Sequence, residues 1–393
     1  MEEQGHMKTI IELFDSEQLN NIALHLFFHE ARIVYIGSKN VMTKRRIRAL
    51  SRFFESRGCS WTPEFIEVER YDIPGIISAA ESVLTGDPEC LLDITGGDEP
   101  TLVAMGILSE RHRIPLVQVN LRSGSLYQVF GSPVNLPMLV PMTVSQLALL
   151  YGGCLIRSDD TELATTELLR DDVRGLWRLC QYDRGFLNRA AAQLNLMADY
   201  TNELNVDTRG SGFQMTESAR SVIKKLNRAG YLKMLYCGVE GLRFTYRSKE
   251  IKKLLNKGGM TLEVLTRIAA EDSGVFTDVR QGVVLDWDGV IETQYPVETR
   301  NEADVILLRG MTPIFISCKS GSVKREALYE LEVVAERFGG KYAEKVLICS
   351  HLSGTTAANA SLRRRAKDMG ITLIENVCSM SLEELSKELS KLR

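Results

Sequence analysis

Two residues in the last third of the chain could do hydrolytic chemistry together. Asp304 lies in the run NEADV (301–305), and Lys319 ends the run FISCK (315–319). A carboxylate in such a place can hold Mg2+ or Mn2+, which prefer oxygen ligands. A neighbouring lysine can orient or activate the attacking water, or stabilise charge on a phosphate. The metal would polarise a phosphodiester and lower the pKa of bound water. On spacing alone, a hairpin carrying a surface ion pair is the simpler account.

The elements that must position the pair reverse that preference. A helix over 260–271 is followed by the runs VVLDWDGVIETQY (283–295), VETRNEADVILLRG (297–310) and TPIFISCKS (312–320). A helix over 325–338, a strand KVLICS (345–350), a helix over 359–369 and a strand ITLIENV (371–377) complete the order. This predicts helix, three-stranded meander, helix, strand. Ile314, Phe315 and Ile316 read as a buried strand, so Ser317 to Lys319 fall where it emerges. Leu328, Leu331, Ala335 and Phe338 share one face of the following helix.

In this order the text resembles the PD-(D/E)XK nuclease superfamily. It is more closely similar to CRISPR ancillary nucleases that join a CARF sensor to such a domain. The resemblance rests on GMTLE (259–263), NEADV (301–305), ISCKS (316–320) and LYELE (328–332) through FGGKY (338–342). It implies that Asp304 holds the metal, that Lys319 is catalytic, and that a helix glutamate, Glu263, assists. One position departs from the family: the acid usual two residues before the lysine is Ser317 here, and a hydroxyl is a poor metal ligand. The missing carboxylate is expected from Glu330 or Glu326 on the next helix, or its place is taken by backbone carbonyls. Glu302 is assigned to the strand face opposite Asp304 and ranked below Glu330. Glu263 could instead pair with Arg267 at i+4 as a structural ion pair. The expected metal set is therefore Asp304, Glu263 and Glu330.

The first 130 residues alternate short apolar runs with helical stretches. TIIEL (9–13) precedes a periodic segment near 19–28, RIVYIG (32–37) precedes 43–56, and Glu64–Val68 precedes 75–84. CLLDI (90–94) precedes a helix over 100–112, and PLVQVN (115–120) closes the series. Runs without clean alternation suit strands buried on both faces, so a Rossmann-like parallel sheet with right-handed crossovers is expected. Within it, DITGGDEPT (93–101) places a glycine turn at a strand end, with Pro100 opening a helix. Backbone N–H groups there can approach a phosphate or ribose, although an ordinary strand-to-helix turn reads the same way. It is neither a Walker A nor a G-x-G-x-x-G loop, which argues against ATP hydrolysis and NAD binding.

This turn is similar to the ligand loop of CARF domains, which recognise cyclic oligoadenylates in a dimer cleft. The resemblance implies ligand contacts from Phe14, Asp15 and Ser16, from Gly37 and Ser38, and from Thr95, Gly96, Gly97, Asp98 and Thr101. All lie at the carboxyl ends of strands, where an open parallel sheet binds ligands. Many such loops carry a lysine after T-G-G. Asp98 and Glu99 stand here instead, to face ribose hydroxyls or to cap the helix.

Proline is absent from 142–295, which favours long helices in the middle of the chain. There a helix near 217–228 followed by MLYC (234–237) and LRFTY (242–246) reads as a winged-helix pattern. Its basic residues, among them Arg220, Lys225, Arg243 and Arg247, could read DNA or form a solvated face. The triplet Arg363 to Arg365 could likewise contact phosphate or solvent.

The expected fold class is α/β with three parts: a sensor over 1–154, a helical linker with the winged-helix-like segment over 155–257, and a nuclease domain over 258–393. A length of 393 residues suits two or three domains. A net charge of −3 excludes a protein that holds nucleic acid by bulk positive charge. Eight cysteines without a C-x-x-C pair, and only five histidines, disfavour structural zinc. Scattered thiols, a polar N-terminus and no apolar stretch of ~20 residues predict a cytoplasmic protein with no membrane partner. The function expected is a homodimeric, Mn2+- or Mg2+-dependent endonuclease switched on by cyclic tetra-adenylate and cutting RNA or DNA. The alternative is a ligand-responsive winged-helix regulator with an inert C-terminal domain.

Overall fold

The computed structural model describes residues 9–84, 89–131, 134, 139–161, 163–289 and 300–392. Residues 290–299 of the expected meander lie outside this set.

The N-terminal part runs β1 (Thr9–Leu13), β2 (Arg32–Ser38), α1 (Lys44–Ser56), β3 (Glu64–Val68), α2 (Ile73–Leu84), β4 (Cys90–Asp93), α3 (Glu99–His112), β5 (Leu116–Asn120) and β6 (Ser125–Phe130). The sheet order is β3-β2-β1-β4-β5-β6. The first five of these strands are parallel, as their buried, non-alternating text requires. β6 is antiparallel to β5 and was not anticipated, because its residues are largely exposed and carry no core pattern. The segment 19–28 corrects an expectation: it holds only a short 3-10 turn at Asn20–Ile22. Asn20 and Asn21 are buried and spend their amides on the Asp15 loop, which competes with helix formation.

The chain continues through α4 (Val144–Leu150), β7 (Cys154–Arg157), α5 (Glu167–Tyr182), α6 (Phe186–Asn195), β8 (Thr201–Asn202), β9 (Asn205–Asp207), α7 (Glu217–Arg228), β10 (Leu232–Gly238), β11 (Gly241–Tyr246) and α8 (Lys249–Asn256). Helices dominate, α5 reaching 16 residues, and the short strands make an antiparallel sheet in the order β10-β11-β9-β8. The C-terminal part follows as α9 (Met260–Ser273), β12 (Asp278–Asp286), β13 (Arg300–Arg309), β14 (Thr312–Lys319), α10 (Glu326–Gly339), β15 (Glu344–Cys349), α11 (Thr356–Asp368), β16 (Ile371–Ile374) and α12 (Leu382–Ser390). β12 to β14 form the antiparallel meander, and β15 and β16 add parallel to β14. β7 pairs with β12 and so forms the far edge of this sheet.

The C-terminal sheet is packed on both faces. Val305, Leu307, Ile314 and Ile316 join a core with α9, α12 and the helical middle. Ile306, Leu308 and Phe315 join a second core that includes Ile10, Phe14, Tyr35 and Leu50 of the N-terminal part. The two ends of the chain therefore share one apolar interior. Among the described residues, no helix is long and apolar enough to cross a membrane.

Candidate active site and sensor loop

Register places Val305 opposite Ile316, which puts Asp304 and Ser317 side by side across β13 and β14. The Ser317 hydroxyl donates to Asp304 Oδ2 at 3.2 Å, and the Cys318 backbone N–H donates to the same oxygen at 2.6 Å. Lys319, two residues on, brings its Nζ to 3.8 Å from that oxygen. The meander thus unites the two residues that the spacing singled out. Ser317 acts as a donor that orients Asp304, a role its hydroxyl suits better than metal binding.

Asp304, Ser317, Lys319 and Glu330 line a cleft of about 530 Å3. Glu302 lines it too, so its expected placement opposite Asp304 does not hold. Residues two apart on a strand share a face. Glu330 lies on the rim, on an exposed turn of α10. Glu263 comes from α9 instead. Burial first, and then the charge of Asp304, push its carboxyl up to about 7; Lys257 acts in the opposite direction, and Glu302 and Asp159 reinforce the rise. The alternative of an ion pair with Arg267 does not hold: Arg267 is buried and turns to the Leu163 carbonyl, at 2.6 Å, and to Glu271, at 3.7 Å.

Among the described residues, no three His, Cys, Asp or Glu side chains stand close enough together to form a ready metal cage. The donor set that is present is still chemically suitable. Mg2+ commonly takes one or two protein carboxylates and keeps several waters. Two carboxyls whose charges oppose one another are also a place where a cation is welcome.

The three strand ends expected to meet do so, since β2, β1 and β4 are neighbours. Their side chains divide into those that build the loop and those that remain open. Phe14 is in the core, edge-on to Tyr35 and Phe65, so only its backbone belongs to the loop. Asp15 Oδ2 accepts from Gly97 N at 3.2 Å and from Asn20 Nδ2 at 2.9 Å. A Cβ on Gly96 would stand 2.8 Å from that of Asp15, which is why glycine is needed there. Thr95 Oγ1 donates to Asp93 Oδ1 and accepts from Val119 N at 2.8 Å. Asp98 is the N-cap of α3, in a capping box with Thr101, and its other oxygen accepts from Arg70 Nε at 2.7 Å. Thr95, Asp98 and Thr101 therefore fix the loop through their side chains. Ser16 stays exposed, Ser38 is nearly buried, and Gly37 packs against Phe14 and Met42.

Two groups of residues carried no signal in the sequence. Glu12 and Asp93 are register partners on β1 and β4, fully buried, with three carboxyl oxygens lacking a hydrogen-bond partner. Glu17, two residues after Asp15, accepts from the Tyr151 hydroxyl and, reaching the C-terminal part, from Lys341 N at 2.9 Å. The basic residues of the middle are engaged locally. Lys225 pairs with Asp183 at 3.1 Å, Arg220 with Glu217 at 3.6 Å, Arg243 with Asp207 at 3.7 Å, and Arg247 with Asp172. That pattern is a solvated face more than a DNA-reading one.

A parallel N-terminal sheet with a loop at its strand ends, joined through a mixed middle to a C-terminal α/β sheet, is an architecture found among solved structures. Protein VC1899 from Vibrio cholerae matches with a TM-score of 0.74 at 18% identity, over 98% of this chain and 97% of that one. Can2 from Sulfobacillus thermosulfidooxidans, solved in complex with cyclic tetra-adenylate, matches with a TM-score of 0.67 at 17% identity, over 98% and 97% of the two chains. At these identities the likeness establishes the fold. No family model matches the sequence, and no curated protein does.

Proposed function

We propose that the chain is a nuclease whose activity is controlled by a cyclic oligoadenylate, with cyclic tetra-adenylate as the activator. The observation that carries the hydrolytic half is Lys319 Nζ beside Asp304 Oδ2, at 3.8 Å, on the floor of an open cleft. The sensing half is supported by the loop at the ends of β1, β2 and β4 and by a fold shared end to end with Can2.

In this reading Asp304 and Glu263 would hold Mn2+ or Mg2+, with Glu330 as a further acid on the cleft rim. When bound, the ion supplies Lewis-acid polarisation and a more acidic water. The chain's own groups do the rest. Ser317 and the Cys318 N–H fix the orientation of Asp304. Lys319 presents positive charge to the scissile phosphate, where a preorganised donor is worth most. Ser16 and the backbones of Gly37, Ser38, Gly96 and Gly97 would face the activator. A symmetric ring ligand is best held between two copies, so a homodimer belongs to the proposal.

The test incubates the full chain with Mn2+ and with labelled single-stranded RNA, single-stranded DNA and supercoiled plasmid, with and without cyclic tetra-adenylate. Cleavage that depends on the ligand and disappears in Asp304→Ala is expected. Cleavage that survives Asp304→Ala would sink the site.

A further inference from the structure

Tyr329 is an unusual residue for its place. It lies on α10, lines the same cleft as Asp304 and Lys319, and is 45% exposed. Val333, one helical turn on and therefore on the same face, also lines the cleft and is 51% exposed. The same helix buries Leu328, Ala335 and Phe338, so it had an apolar face available for both. Exposed apolar groups gathered at a functional cleft mark a contact surface. Arg365, from α11, donates to the Tyr329 hydroxyl, and its guanidinium carbon lies 6.0 Å from the ring centroid. An aromatic face held by an arginine, beside a carboxylate and a lysine suited to phosphodiester chemistry, matches the chemistry of a nucleotide: base on the ring, phosphate on the cations.

We infer that Tyr329 stacks on an unpaired base next to the scissile phosphate, with Arg365 holding the ring and facing the backbone, so that single-stranded nucleic acid is the substrate. A paired base keeps both faces inside its own stack and offers the ring nothing. The inference rests on the nuclease reading above and narrows its substrate class. Tyr329 is a binding residue in this scheme, and Val333 forms the apolar edge on which the base rests.

The test uses the full chain carrying Asp304→Ala, with Mn2+ and cyclic tetra-adenylate, so that bound strands stay intact. The probes are short single-stranded DNA and RNA oligonucleotides containing one 2-aminopurine, and the corresponding duplexes. Binding should quench the fluorescence of the single strands. Adding Tyr329→Ala should remove the quenching and weaken single-strand binding by roughly 5- to 150-fold, with duplex binding unchanged. Tyr329→Phe should retain both the quenching and the affinity, because the ring is kept. Equal affinity in Tyr329→Ala overturns the inference. So does a Tyr329→Phe as weak as Tyr329→Ala, which would show that the hydroxyl acts only through Arg365. If Asp304→Ala alone still cleaves, or no probe binds, the nuclease reading fails first and the inference falls with it.

Discussion

Glu17 and Lys341, from opposite ends of the chain, are joined by a hydrogen bond of 2.9 Å from the Lys341 N–H to the Glu17 carboxylate. The same carboxylate accepts from Tyr151, and three residues on Asn20 Oδ1 accepts from the Tyr342 hydroxyl at 2.9 Å. Glu17 lies two residues after Asp15, whose carboxylate accepts from the Glu17 backbone N–H at 2.8 Å and is also bonded to Gly97 of the T-G-G turn. Gly340 to Tyr342 follow directly on α10, the helix that walls the Asp304 cleft. A ligand shifts an equilibrium only through contacts that differ between two states. Under the proposed function, a change at the T-G-G loop would reach the helix that walls the cleft through this joint. Glu17→Ala is expected to keep cyclic tetra-adenylate affinity within a few-fold while most of the ligand-dependent rise in cleavage is lost. Calorimetric binding beside a cleavage assay checks this. Full activation in the variant would remove Glu17 from the path.

Gly340 makes the joint testable from its other side. Its φ of 58° and ψ of −151° belong to a region that only glycine occupies without strain. A Cβ there would lie 2.3 Å from the Glu17 carboxylate. Gly340→Ala should therefore destabilise the protein by roughly 1–3 kcal/mol, read as a lowered Tm. Part of that loss should be recovered in the Glu17→Ala, Gly340→Ala double variant, since the contact with the carboxylate would be gone while that with the Tyr151 hydroxyl, 2.7 Å from the Cβ, would remain, so the two effects would not add. Strict additivity would place the Gly340 strain elsewhere.

The periodic parts of the fold could be read in advance, and the non-periodic parts could not. β1, β2, β4, β13 and β14 announce themselves by apolar runs, and α3 by Asp98 as a possible cap and Pro100 in its first turn. β6 and α12 did not stand out, and the buried 19–28 segment looked helical because its apolar content reflects burial from all sides. Asp304 and Lys319 were legible because a strand hairpin fixes which side chains meet. Glu302 was misplaced by a slip in strand parity. Glu17 and Tyr329 fall within stretches that carry the resemblance, but no role could be read for either, because their meaning comes from partners 324 and 36 residues away.

The acids around Asp304 should separate cleanly in activity. Asp304→Ala is expected to abolish cleavage, and Lys319→Ala to slow it by about 10²- to 10³-fold, the usual loss on removing one preorganised charge stabiliser. Glu263→Gln should fall with Asp304→Ala, because among the charges that act on the Glu263 carboxyl that of Asp304 is the largest, which places the two acids at one site. Glu330→Gln, on the exposed rim, should stay within a few-fold of the parent. Ser317→Ala should also stay within a few-fold, since the Cys318 N–H at 2.6 Å still fixes Asp304. Initial rates on one substrate at saturating activator measure all five. A Glu330→Gln as dead as Asp304→Ala would move the second metal ligand to α10.

The buried carboxyls beneath the sensor loop give the protein a pH dependence of definite sign. Burial pushes Asp93 up to about 7, against the pull of the Thr95 hydrogen bonds. Glu12 beside it is also raised, by burial and then by Asp93. Tyr35, the third member of the row, stays a phenol that donates to the Asn21 carbonyl. An unfolded aspartate titrates near ~3.9, so the folded state binds more protons between that pH and about 7. Stability must then fall as pH rises across this window. The contribution is fully present below the unfolded pKa and is lost as pH passes through the folded one. Asp93→Asn keeps an oxygen for Thr95 and removes the charge. It should flatten the Tm profile between pH 5 and 8 and raise Tm at the alkaline end, with the two proteins converging toward acid. A Tm profile that slopes as steeply in Asp93→Asn as in the parent would mean that other groups set the dependence.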